Sequence, residues 1–516
     1  MASLPVMPTA PDELEEADLL PESASATPGR RRFLTALAAI AGASILPRGA
    51  HAQRVVRPPR FPVTGPLAPV PRIASSTIAK LVNRVTYGAT PAEIARAKTM
   101  GFAKYLDWQL DHARIDNAAV EAHIATTYPF LVRGAAELYN ENQGVVQRQL
   151  SESTLYRAAH SPRQLYERMV EFWTDHFTIY MPKVGYLKLI DDREVVRKYA
   201  FGKFPEMLWA SAHSAAMLQY LDQPQSRGTS PNQNYAREIM ELHTLGVDGG
   251  YTQDDVAELS RILTGWTIRN RGDFYFDPTG HDFTQKVLLG KTYPAMPVST
   301  GAGAISEGEE VVRALASHPS TARYIAFKLA RYLLQYDPPA AVLEAATSAY
   351  TRTGGDIKTM IRAILTPTNV TAATARYKRP YHYVVSAMRV MNVTSTNVTY
   401  PAGRALTLVG QPLFLHEEPD GYPEEVQYWA GNVLPRWNFA SYIATGTAEI
   451  PVDVTPFMSA NAEVVVDAIN VRMFGGEMPA PLRSALTTYI GGQASSATRV
   501  RETCALAMSA ADFMWY

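Results

Sequence analysis

A single cysteine, Cys504, stands among the 516 residues. The chain can therefore form no intramolecular disulfide, no cysteine-rich zinc site and no covalently attached c-type haem. Stability has to come from a core, and with 47% hydrophobic residues a large one is available. Excess charge of either sign is equally wanting. Lysine plus arginine number 49, and so do aspartate plus glutamate, a balance that leaves no electrostatic footprint for nucleic acid or an anionic membrane. The apolar run from Leu34 to Leu46 has 13 residues, whereas a helix needs about 20 to cross a bilayer, so no permanent membrane anchor is expected.

Several familiar motifs also fail. The sequence has no Gly-x-Ser-x-Gly elbow and no Gly-x-Gly-x-x-Gly fingerprint. Gly290-Lys291-Thr292 has the end of a phosphate loop, but Gln285 stands where the earlier glycine is required. His416-Glu417-Glu418-Pro419-Asp420 starts like a zincin motif, yet Asp420 replaces the second histidine and Pro419 would break the helix both ligands need. Serine-hydrolase and nucleotide-binding explanations lack support.

What is present begins with an export pattern. Up to about Ser25 the chain is acidic, with Asp12, Glu13, Glu15, Glu16, Asp18 and Glu22 and no basic residue, a composition expected to stay unstructured. Arg30-Arg31-Arg32-Phe33-Leu34, the apolar run and Ala50-His51-Ala52 follow in the order of a signal peptide. Paired arginines before Phe-Leu point to the twin-arginine route, hence to a bacterial periplasmic or secreted protein that crosses the membrane folded. Cleavage after Ala52 removes six acids and four bases, which leaves a formal charge of +2. Residues 53–75, proline-rich and basic, read as an extended tether.

Residues 76–516 read as mainly α: a single large multi-helix domain with long loops and at most a small β-hairpin. Thr90-Pro91-Ala92-Glu93 has the form of a capping box with proline at the first helical position. The clearest amphipathic helix lies within 162–180, where Leu165, Met169, Phe172, Trp173, His176, Phe177 and Tyr180 share one face. His176 thus points to the apolar side, as a core residue held by hydrogen bonds or as a buried ligand whose tautomer a neighbour such as Asp175 fixes. Alternating aromatic and polar residues at 273–277 mark a short hairpin or an irregular excursion. His281, Asp282 and Lys286 follow on what reads as an exposed loop.

The densest run of potential chemistry is PNQNYAREIMELHTLGVDGGYTQDDVAELSRILTGWT, residues 231–267. Asn234 is placed to cap a helix from Tyr235. Gly246, Gly249 and Gly250 supply the exit, and Thr252 with Asp255 opens a second helix. Glu238 and Glu241 are i, i+3 neighbours. His243 falls roughly 140° from Glu238 on an ideal helical wheel, so one straight helix cannot aim all three at one ion. A plain structural account also exists: Glu238 complements the helix N-terminus, Arg237 pairs with Glu241, and His243 caps final-turn carbonyls.

Leu81-Val82-Asn83-Arg84-Val85-Thr86-Tyr87-Gly88 with Thr90-Pro91, Phe172-Trp173-Thr174-Asp175-His176-Phe177, Asn234-Tyr235-Ala236-Arg237-Glu238 through Trp266, and Lys378-Arg379-Pro380 together resemble the domain-of-unknown-function 1800 family. The resemblance spans roughly Ser76 to the C-terminus and implies a bacterial, often exported, single large helical domain. It supplies no reaction. From the residues, one expectation is a periplasmic metal-dependent hydrolase or oxidoreductase. In it His176, Glu238 and Glu241 hold a divalent metal between two packed helices, and Asp175, Arg237 and His243 serve as catalytic groups. The alternative is a non-catalytic cell-envelope protein that binds a protein or polysaccharide partner. Arg237, Glu238, Glu241 and Asp175 would then form a buried ionic network, with the aromatic loops at 274–276 and 414–429 as contact surface. Non-covalent haem on His176 or His243 is the third expectation.

Overall fold

A computed structural model describes residues 76–393, 396–448 and 450–516. The signal peptide expected at 1–52 and the tether expected at 53–75 lie outside them. Helices dominate, as the periodicity predicts, and the strands form only two small antiparallel hairpins, Trp266–Arg269 with Asp273–Phe276 and Lys286–Leu288 with Lys291–Tyr293. No helix of the described residues is long and apolar enough to cross a membrane.

Local signals account for many helix ends, though not always through the residue expected. Thr252 and Asp255 form the reciprocal cap that opens the Gln253–Ile262 helix. Asn232, rather than Asn234, caps the helix before it, accepting from the Asn234 amide at 2.9 Å, so that helix begins at Gln233. Thr90 makes no side-chain cap. Glu93 is drawn instead to the Tyr105 hydroxyl at 2.5 Å, because a buried carboxylate needs a donor more than a solvated helix end needs a cap. His281 and Lys286, expected on an exposed loop, are buried: Lys286 Nζ lies 2.7 Å from Glu307, and His281 lies 2.9 Å from the Thr264 carbonyl.

Apolar side chains gather into two adjoining cores. One unites the helices from Thr77 to Ala372, and the other is built from residues from Tyr377 onward, with Tyr87, Leu155, Ala158 and Ala159 reaching into it. Leu413 packs against both. The end of the chain is folded into this seam: Tyr516 and Arg376 exchange backbone hydrogen bonds at 2.8 and 2.9 Å, and the Tyr516 side chain is buried. Arg84 and Arg168 also reach Tyr516, through its carbonyl and its hydroxyl.

Candidate functional site

The amphipathic helix Gln164–His176 runs along the seam with an apolar face on the first core. Glu167, Glu171 and Asp175 recur every fourth residue, so they stack along another stripe of the same helix. Carboxylates taken out of water must find cations. Glu167 pairs with Arg197 at 3.1 Å. Glu171 pairs with Arg379 and also accepts from the Tyr87 and Tyr332 hydroxyls, both at 2.8 Å. Asp175 accepts from the second arm of the same guanidinium at 2.7 Å, and Glu424 approaches it at 3.2 Å. Arg376 adds a further ion pair to Glu424.

Three carboxylates thus share two guanidiniums, which leaves one with reason to keep a proton. Burial raises the Asp175 carboxyl to about 6 against the pull of Arg379, with Glu171 adding like-charge repulsion. For Glu424, burial also pushes upward, but Arg379 and Arg376 hold it below the usual carboxylate range. The proton affinities of these neighbouring acids are thus driven apart by their surroundings. Arg379 is only 5% exposed, whereas Asp175 keeps 20% of its side chain open. A cavity of about 30 Å³, mostly apolar in its surface, lies between Val170, Leu413 and Phe414 on one hand and Glu171, Asp175 and Tyr422 on the other, with room for a water molecule.

The loop at 411–425 closes over this end of the helix. Tyr220 donates to the Glu417 carbonyl at 2.6 Å, and the Met181 amide donates to the Phe414 carbonyl at 3.0 Å. Gly421, at φ +77°, touches the helix so closely that a Cβ there would sit 2.2 Å from the Asp175 carbonyl oxygen. From the other side, the Pro319–Leu333 helix supplies Lys328. Burial lowers its ammonium to about 8, opposed by the charges of Asp175, Glu424 and Asp420.

The stretch that the sequence singles out is not one straight helix. Gln233–Glu238 is α-helical, but Ile239–Thr244 widens into a π-helix, with the Leu245 amide donating to the Met240 carbonyl at 2.8 Å. The wheel drawn for an α-helix therefore does not apply there. His243 turns inward and is 1% exposed. His176, 2% exposed, lies 3.2 Å through Nε2 from the His243 carbonyl and so donates to it. The two rings stand 6.2 Å apart within a shell that includes Phe177 and Tyr324. Burial drives both imidazoles down, His243 to about 3 and His176 well below its ordinary value, with Lys328 adding to the effect. His176 Nδ1 and His243 Nε2 have no hydrogen-bond partner.

Of the six residues expected to carry chemistry, His176 and His243 are brought together and Asp175 joins the ionic network. Glu238 and Glu241 stay partly exposed on the other side of the π turn, with the Tyr251 hydroxyl 3.4 Å from Glu241. Arg237 reaches outward to Gln253 at 3.1 Å. Among the described residues no three His, Cys, Asp or Glu side chains gather so as to hold a metal ion. The inward turn of His176 accounts for this, since it faces a backbone carbonyl and aromatic rings while the two glutamates face the rim. Glu238 and Glu241 still reach the site electrostatically: Tyr220 feels Glu418, Glu238 and Asp420, and Tyr324 feels Glu241 and Asp420, beyond the burial that raises both phenols.

Sequence reading misses Glu171, Lys328, Arg379 and Glu424. The four-residue spacing of Glu167, Glu171 and Asp175 is a legible signal for the first. Arg379 stands in Lys378-Arg379-Pro380, which is visible as a motif but silent about which acids it meets. Of the aromatic loops expected as contact surface, Phe276, Phe414 and Trp429 are buried, and Tyr275 is exposed.

In comparisons with known proteins, residues 80–515 match the family described as "Protein of unknown function (DUF1800)". No curated protein and no solved structure matches the chain.

Proposed function

Because the chain belongs to the DUF1800 family, whose description assigns no activity, we propose from the site alone that it is an exported hydrolase with Asp175 as its proton-transferring carboxyl. The observation that carries the reading is the sharing of Arg379 between Glu171 and Asp175 beside a small, mostly apolar cavity, with the Asp175 carboxyl held near 6. A group with that affinity is partly ionised at neutral pH, so it can take a proton from an attacking water and return it to a leaving group. Glu171, fixed by three donors, orients the water. Lys328, held near 8, supplies positive charge beside the reacting centre. The rim carries Glu238, Glu241, Glu418 and Asp420, which favour a hydroxyl-rich or cationic substrate such as an envelope glycan over an anionic one. Export rests on the arginine, apolar and Ala-x-Ala order at residues 30–52.

The metal-dependent form of the expectation is not carried forward, because His176 is not gathered with Glu238 and Glu241. The test is a screen of the purified mature protein against chromogenic glycosides, esters and peptide amides from pH 4 to 9. Turnover is expected on one class, with an inflection near pH 6. It should fall roughly 100-fold or more in D175N, whose thermal midpoint should stay close to that of the parent. Absence of turnover by folded protein on every class, or a D175N rate equal to the parent's, would overturn the reading.

A further inference from the structure

A second cavity, of about 370 Å³, opens where the start of the Pro91–Met100 helix meets the 159–162 turn, the end of the Pro380–Val390 helix and the Ala462–Phe474 helix. It shares no lining residue with the Asp175 cavity. Its volume falls in the range of sites for small organic molecules.

Its polar lining is basic and incompletely matched. Arg389 donates from Nη1 to the Ala159 carbonyl at 2.8 Å, but its buried Nε has no partner. Arg472 donates from Nε to the Val390 carbonyl at 3.2 Å, and its guanidinium lies 5.3 Å from the Phe457 ring centre. Among the described residues neither arginine has a carboxylate in ion-pairing range, although Glu93 on the same wall is the acid whose charge Arg389 feels most. His160 adds a buried Nε2 with no partner. The carboxylate on the wall, Glu93, is already engaged by the Tyr105 hydroxyl and by Arg96 at 3.8 Å. The first turn of the Pro91–Met100 helix faces the same space with no side chain capping it, so its amide dipoles add positive potential. Met388 and Val393 give the cavity an apolar side.

Two guanidiniums without a direct ion pair line one space with a helix N-terminus. The forked guanidinium matches the oxygens of phosphate and sulfate two at a time, and a helix N-terminus favours the same groups. The volume left over, beside Met388 and Val393, accommodates an organic remainder. We propose that this cavity binds a sugar-sized phosphate or sulfate monoester, with Arg389 and Arg472 as the anion-binding side chains. The site is independent of the hydrolytic reading, since it uses neither Asp175 nor any group around it.

Titration calorimetry on the purified mature protein tests this with glucose 6-phosphate, glucose 6-sulfate, inorganic phosphate and glucose as probes. At least one of the two esters should bind, with an affinity that falls as salt rises, and glucose should not. R472Q, at a half-buried position, should weaken ester binding roughly 10-fold or more, and R389Q should do the same with an unchanged thermal midpoint. The tighter of the two esters identifies the oxyanion. No binding of either ester by folded protein, equal binding of glucose, or ester binding unaffected in R472Q would overturn the proposal. D175N should bind the esters as the parent does, so failure here is distinguishable from failure of the hydrolytic reading.

Discussion

At the scale of single residues, proton affinity is set by what the fold places beside each group. Burial holds His243 near 3, against 6.5 in the unfolded chain. Between those values the unfolded chain takes up a proton that the folded chain refuses. This group's stabilisation is therefore complete above pH 6.5 and is lost as pH falls toward 3, by about 1.4 kcal/mol per unit. Asp175 acts in the opposite sense. Its carboxyl, raised from 3.8 to about 6, protonates first in the folded state, so its contribution is full below about 3.8 and is lost as pH rises through 6. Urea titrations at pH 6, 5 and 4 should show a flatter acid loss of stability in H243F than in the parent, and a steeper one in D175N. Equal slopes in all three proteins would refute the assignment. The sequence shows that His176 lies on an apolar face, and a buried imidazole follows from that. Nothing in a linear pattern shows that its partner is the carbonyl of His243.

Elements carry the next layer. A π-helical turn at 239–244 directs His243 inward and leaves Glu238 and Glu241 at the rim, and no α-helical wheel anticipates it. The extra residue in the turn is held by a local hydrogen bond, Thr244 Oγ1 to the Ile239 carbonyl at 2.6 Å, and by the burial of Ile239 and Met240. The loop at 411–425 depends on Gly421 for its approach to the Gln164–His176 helix. With φ at +77° and a Cβ that would meet a carbonyl oxygen at 2.2 Å, G421A should destabilise the protein by about 2–4 kcal/mol. G403A is the control. Gly403 lies in the Thr399–Leu408 helix, where the nearest atom to an added Cβ is 4.0 Å away, so alanine should be neutral or stabilising by up to about 1 kcal/mol. Thermal melts of the two variants compare them directly, and equal effects would show that the loop contact is dispensable.

For the whole molecule, the ionic seam joins two cores that the chain builds largely in order, the first up to and including Ala373 and the second from Tyr377 onward. Arg379 ties Glu171 and Asp175 on one side to Glu424 in the loop above, and it directly precedes the Pro380–Val390 helix on the other. Removing one partner of a buried ionic group leaves the others uncompensated, at about 3–5 kcal/mol. Calorimetry should therefore give one transition for the parent, and for R379A either two separated transitions or a single one at a much lower midpoint. An unchanged midpoint with a single transition would show that the cores are coupled by apolar contact alone.

The sequence by itself determined the mainly helical class, the amphipathic helix at 164–176, the reciprocal cap at Thr252 and the family. Each of these depends on residues within a turn or two of one another, or on motifs in linear order. Tertiary structure alone decided which acids meet which arginines. It turned Glu93 from cap to hydrogen-bond acceptor of Tyr105, gave Asp175 an affinity near 6, and left Arg389 and Arg472 facing an open cavity. The physical reason is that burial and charge pairing act between residues such as Asp175 and Arg379, 204 positions apart, and no local pattern encodes that separation.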